Sequence, residues 1–118
     1  MGDESRPAVE KVHLPVLEGD GGVLWSVSPV GFHANLVALG PGHAVDRHRN
    51  DEVDVLVVVL DGEGRIMVDE EQVDLCTGDA IVVPRGADRS IESDAGIRYL
   101  TVHAQRMPLT VGPRRTTS

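Results

Sequence analysis

The chain has 118 residues, 41% of them hydrophobic and only 3% aromatic, and carries 19 acidic against 11 basic side chains for a net charge of −8. That length holds one domain with a real core, the hydrophobic share excludes a disordered chain, and the acidic balance argues against a nucleic-acid partner. A core so poor in aromatics must be built from Val, Leu and Ile, a palette that favours strands.

The first residues, MGDESRPAVEK, carry no apolar signal region, and 1–10 are expected to be a flexible N-terminus. Short Val/Ile/Leu runs then predict strands at 11–17, 23–28, 32–39, 44–49, 54–60, 65–69, 72–76, 80–83, 88–92 and 97–104. Between them lie turn sequences: EGDGG at 18–22, GPG at 40–42, DGEG at 61–64, TGD at 77–79, PRG at 84–86 and SDAG at 93–96. No segment holds a helical period, and there is no repeat and no helix-turn-helix unit. The reading is all-β: one barrel domain over 11–107, then a flexible tail over 108–118.

The run VLVVVL at 55–60 is far too short to cross a bilayer, so no membrane partner is expected. It is apolar on both faces, with Val55, Val57 and Val59 on one and Leu56, Val58 and Leu60 on the other. Both faces must be covered. One belongs to the barrel interior, and the other calls for a second subunit in a homodimer or for the N-terminal strand of the same chain. The lone Cys76 excludes an internal disulfide and suits the cytoplasm, and such cysteines are commonly buried as small hydrophobes.

Two spaced patterns stand out. Gly42 is followed by five residues and His48-Arg49-Asn50, then by four residues and Val55, then by six and Gly62. Gly78 is followed by five residues and Pro84-Arg85-Gly86, then by two and Arg89, then by three and Ser93. The glycines and the proline each shape a particular turn. Over roughly residues 23–104 these motifs and their order resemble the cupin superfamily, whose fold is a double-stranded β-helix, or jelly-roll barrel.

The resemblance implies a metal site of three histidines and a glutamate inside the barrel. Transferred residue by residue, those positions hold His48, Asn50, Val55 and Arg89. Only His48 is a good ligand; Val55 cannot bind, and the Arg89 guanidinium repels a divalent cation. A one-residue bulge would bring Asp54 to the glutamate's place. His33 and His103 lie on strands that can face the cavity, and His43 and Asp46 sit near the start of the first motif. No metal and no cofactor are expected; if a metal were held, His48 would hold it.

His48 with Arg89 across an apolar cavity suits a small organic anion, with Asn50 able to donate and accept. Asp54 and His103 are further candidates to touch such a ligand, and Val55, Val57, Val83 and Ile91 would supply apolar walls. Alternatively, Arg89 pairs with an internal acid, Asp54 or Asp79, and fills the cavity itself. Three functions follow. The first is a metal-free binding protein for a small anionic ligand. The second, implied by cupin epimerases that use a histidine without metal, is an isomerase with His48 as base and Arg89 steadying an oxyanion. It lacks an evident second acid or base, since Tyr99 is the only tyrosine. The third, a metal-dependent oxygenase or isomerase, has the least support from the ligand positions.

Overall fold

The computed structural model describes residues 9, 11–16, 18, 19, 21–29 and 31–105. Eight strands follow in chain order: β1 (Gly21–Val27), β2 (Phe32–Leu39), β3 (His43–Arg49), β4 (Val55–Val68), β5 (Glu71–Cys76), β6 (Ala80–Val83), β7 (Asp88–Ser93) and β8 (Ile97–Ala104). Every pairing is antiparallel. The strands lie in the order β1-β2-β8-β4-β7-β3, with β5 and β6 also pairing with β4. The result is a curled antiparallel sheet of the jelly-roll kind, as the sequence predicts.

Strand β4 organises the barrel. Its first part pairs with β6 through Val55–Val58 and with β8 as far as Gly62, while its last part pairs with β7 through Arg65–Val68 and with β5. The sequence predicts two strands here with a turn at 61–64; the structure has one continuous strand. Gly62 sits at φ +98° beside a bulge between Val59 and Asp61, so the strand bends and changes sheet instead of reversing. Neighbouring backbone runs too close for a side chain: a Cβ on Gly62 would collide with the Gly96 carbonyl oxygen, and one on Gly64 would lie 2.7 Å from that of Glu92.

Val55, Val57 and Val59 alternate inward and are 1%, 0% and 1% exposed, which places the core between the two halves of the curl. They pack with Val37, Leu39, Ile66, Leu75, Val83, Ile91, Ile97 and Tyr99. Burial of each such side chain contributes about 1.5–3 kcal/mol. Burial also pushes the Tyr99 phenol up to about 12. Leu56 and Leu60, on the opposite face of β4, remain part exposed.

Over 11–17 a strand is expected, but the described part of that segment holds a 3-10 turn at Leu14–Val16. Pro15 has no N–H to give a ladder. Leu14 and Pro15 instead lie with Leu36 and Leu60 around a groove on the outer face, and Arg98 donates to the Leu14 carbonyl. No helix among the described residues is long and apolar enough to cross a membrane. The expected flexible tail, 108–118, and most of 1–10 lie outside the described residues.

Candidate functional site

Three cross-strand pairs build one end of the barrel. His48 on β3 is the register partner of Arg89 on β7. His33 and Asn35 on β2 are the partners of His103 and Thr101 on β8. Facing residues of neighbouring strands project to the same side, so these side chains converge on one opening. It is a pocket of about 370 Å³, lined by His33, Asn35, His48, Asn50, Arg89 and His103 together with Ser28, Arg49 and Gln105.

The position of His48 depends on a bulge. Between Val45, paired with Ile91, and His48, paired with Arg89, β3 takes three steps where β7 takes two. Strict alternation from Val45 would bring Arg47 to the Arg89 row; the extra residue brings His48 instead. Arg47 then turns outward, where it and Arg49 both hold Asp88, each at 2.9 Å. The two guanidiniums, Arg49 first and Arg47 next, keep the Asp88 carboxyl below the usual carboxylate range.

Hydrogen bonds fix the histidine rings. His48 Nδ1 lies 2.9 Å from the Asp46 carbonyl oxygen and His103 Nδ1 2.8 Å from that of Ala104. A carbonyl oxygen only accepts, so both Nδ1 atoms carry a proton, and in the neutral form of each ring the lone pair is on Nε2. His33 lies 5.1 Å from His103, centroid to centroid, in a stacked pair. The third contact is a relay in which His33 Nε2 donates to Asn35 Oδ1 and Asn35 Nδ2 to Thr101 Oγ1.

The other candidates fall as follows. Asn50 clasps the turn after β3: its Oδ1 accepts from the Glu52 and Val53 N–H groups, and its carbonyl accepts from Gly86. Its Nδ2 is buried without a hydrogen-bond partner, and it is the one such side-chain group among the described residues. Asp54 lies outside the pocket lining and is exposed, with Oδ1 accepting the Arg85 N–H at 2.9 Å and its guanidinium at 3.2 Å. Those bonds lower the Asp54 carboxyl from its ordinary value. Asp79, the second acid considered for Arg89, accepts from the Cys76 N–H. Val55, Val57, Val83 and Ile91 are core residues.

The positions that hold the metal in the resembled fold are not a ligand set in this chain. Val55 offers no donor and Arg89 is a permanent cation. No group of three or more His, Cys, Asp or Glu side chains among the described residues could hold a metal ion. The histidines His33 and His103 stack ring on ring rather than converging on a point.

The opposite end of β7 and β8 is acidic. Glu63, Asp74, Asp79 and Asp94 line a second pocket of about 370 Å³ with Arg65 and Cys76. Arg65 holds Glu92 at 2.8 Å and Asp94 at 3.2 Å. Cys76, expected to be buried, is exposed. A hydrogen bond to the Asp79 carboxylate and its charge hold the thiol above its ordinary value.

Four contributors to the first pocket escape a reading of the sequence, among them Asn35, whose place beside His33 is set by the register of β2 with β8. Arg49 joins it through the β3 bulge, which alternation alone hides. Ser28 and Gln105 meet across the ends of β1 and β8, where Ser28 Oγ donates to Gln105 Oε1. Nothing local marks that contact, which spans 77 residues.

Comparison with known proteins agrees with the fold. The TT1209 protein of Thermus thermophilus superposes with a TM-score of 0.73 at 26% identity, over 84% of this chain and 100% of that one. The Cnp3 cupin domain of Schizosaccharomyces pombe gives 0.72 at 19% identity, over 80% and 68%. KdgF from Halomonas sp. gives 0.64 at 19% identity, over 71% and 78%. No curated protein matches the chain. The family model described as "Cupin domain" matches residues 35–103, more than half of the sequence, and the chain is a member of the cupin superfamily.

Proposed function

We propose that this cupin is a binding protein that holds a small organic anion in the His48–Arg89 pocket without a metal. One observation carries the reading. The chain has 19 acidic residues and a net charge of −8, yet among the described residues no Asp or Glu lines this pocket, while Arg49 and Arg89 do. Two guanidinium charges at a concave site focus a field that favours an anion, and a guanidinium fork matches a carboxylate or phosphate. The test is titration calorimetry with small carboxylates and sugar phosphates on the wild type and on Arg89→Gln. Loss of a charge-assisted hydrogen bond costs about 1.5–3 kcal/mol, so affinity should fall roughly 10- to 100-fold. Anion binding indifferent to Arg89→Gln, or none at millimolar concentration, would overturn the proposal.

A second reading, an isomerase with His48 as base, draws on the fixed Nδ1–H, which leaves Nε2 to take a proton. Its signature is deuterium entering a bound hydroxy acid at the carbon beside the carboxylate in D₂O, abolished by His48→Phe. Unchanged ligand in both proteins rejects it.

We also infer a cytoplasmic homodimer formed through the outer face of β4. Leu56 and its register partner Val82 are 38% and 59% exposed there, in an apolar patch that a second copy would cover. Light scattering should give twice the chain mass for the wild type and a monomer for Val82→Arg. A monomeric wild type sinks the idea.

A further inference from the structure

We infer that the ligand of the His48–Arg89 pocket is a hydroxycarboxylate, with a hydroxyl on the carbon next to its carboxylate. This rests on the anion-binding reading above and adds a donor requirement to it. The polar groups at the pocket divide into those that can give protons and those that can only receive them.

Arg89 can only donate, as can the Asn50 Nδ2 group that lacks a partner. They suit the oxygens of a carboxylate. The histidines, in their neutral form, are different. His48 commits its Nδ1 proton to the Asp46 carbonyl and His103 commits its own to the Ala104 carbonyl. What each ring offers a ligand is therefore Nε2, an acceptor. A simple carboxylate has no proton to give it, and oxygen lone pairs facing Nε2 would repel. A hydroxyl satisfies Nε2.

The spacing of the two functions follows from register. His48 and Arg89 are cross-strand partners, and facing Cβ atoms lie about 4.5–5.5 Å apart. One molecule reaching both tips must carry its acid and its proton donor close together, which a 2-hydroxy acid does. His103 gives a second acceptor across the mouth. It is held rigid by the stack on His33, whose own Nε2 proton is committed to Asn35. Longer ligands with further hydroxyls fit that arrangement better than bare alkyl acids. Arg89 on the carboxylate, His48 on the hydroxyl and His103 beside the remaining substituent make three contacts, so the two enantiomers should bind unequally.

The experiment is a cycle of matched ligands and variants, read by calorimetry. The probes are L- and D-lactate against propionate, and L- and D-malate against succinate. A net neutral hydrogen bond corresponds to a preference of about three- to tenfold for one hydroxy enantiomer over its deoxy partner. In His48→Phe that preference should fall to about one. His103→Phe keeps a ring to stack on His33 and should blunt the preference for glycerate, which carries a second hydroxyl, over lactate. Circular dichroism confirms that both variants are folded. Equal binding of hydroxy and deoxy acids, with Arg89 still required, overturns this inference and leaves the anion-binding reading standing. A preference that survives both variants overturns it too. Failure of every acid to bind removes both.

Discussion

Strands β7 and β8 reach both ends of the barrel, and the two ends have opposite chemistry in pockets of equal size. At one end Arg89 and His103 look onto His33, His48 and Arg49, with no carboxylate among the described lining residues. At the other, Glu63, Asp74, Asp79 and Asp94 surround Arg65 and Cys76. The acidic end is also where the backbone is most crowded, since Gly62 and Gly64 on β4 run against Gly96 and Glu92. Its one arginine is already shared between Glu92 and Asp94. The basic end is arranged differently: its histidines are fixed from behind by carbonyls, which leaves ring edges facing the opening. A sheet can thus place stability at one end of its strands and recognition at the other, because residues four or five positions apart on β7 are separated by most of the strand's length.

The sharpest way to break that division is Gly62→Ala. The new Cβ meets the Gly96 carbonyl oxygen, and the φ of +98° strains any residue with a side chain. Strain of this kind costs about 1–3 kcal/mol, and a backbone collision adds to it, so urea denaturation should show a loss of roughly 3 kcal/mol or more. Any protein that remains folded should bind anions with unchanged affinity, because the other end of the barrel is untouched. A loss below about 1 kcal/mol would mean that the bend at β4 is softer than its geometry implies. Arg89→Gln is the mirror experiment: its largest effect should appear in anion binding.

The division explains which parts of the molecule are legible in sequence. Turn glycines, the proline at 84 and short aliphatic runs report local backbone requirements, so the fold follows from them directly. The DGEG segment misleads because the same glycines that permit a turn also permit a strand to bend and carry on, and only the packing of β7 and β8 against β4 decides between the two. Motif spacing singles out His48, Asn50 and Arg89, strand position adds His103, and the structure gathers these four at one pocket. Asp54 illustrates the limit. Whether it or Val55 points inward is a question of strand parity, which the core decides: Val55 is 1% exposed and Asp54 faces Arg85. Likewise Cys76 sits at the end of a strand whose Leu75 is buried, and one step of alternation turns it outward.

Asp88 sharpens the comparison from the basic side. It is the carboxylate nearest that end in register, opposite Arg49, and it holds both Arg47 and Arg49. Its folded-state pKa lies below the ordinary value, so its pairs stabilise the fold above the unfolded carboxylate pKa of about 4 and fade as pH falls through the lower folded value. Asp88→Asn should therefore lower the melting temperature at pH 7 and flatten its acid dependence below about pH 4. Because Arg49 also lines the pocket, the same change should tighten anion binding slightly at low salt. Weaker binding would show that Asp88 acts by positioning Arg49 rather than by offsetting its charge.

The smallest effect belongs to Cys76 and tests whether the acidic end is closed to chemistry despite its exposure. An exposed thiol normally reacts in proportion to its thiolate fraction. Here Asp79 first, and Glu63 more weakly, oppose the thiolate, and the Asp79 carboxylate accepts the thiol's hydrogen bond. Alkylation by iodoacetamide at pH 8 should consequently run slower than that of free cysteine, and added salt should narrow the gap by screening the carboxylates. Asp79→Asn removes the nearer charge and should speed the reaction. That change also weakens the acceptor held by the Cys76 N–H, so the rate must be compared with Asp74→Asn, which alters the same pocket without touching that bond. Acceleration confined to Asp79→Asn locates the protection in one carboxylate. Equal acceleration in both assigns it to the field of the whole acidic end, and a wild-type thiol as fast as free cysteine would mean that neither operates.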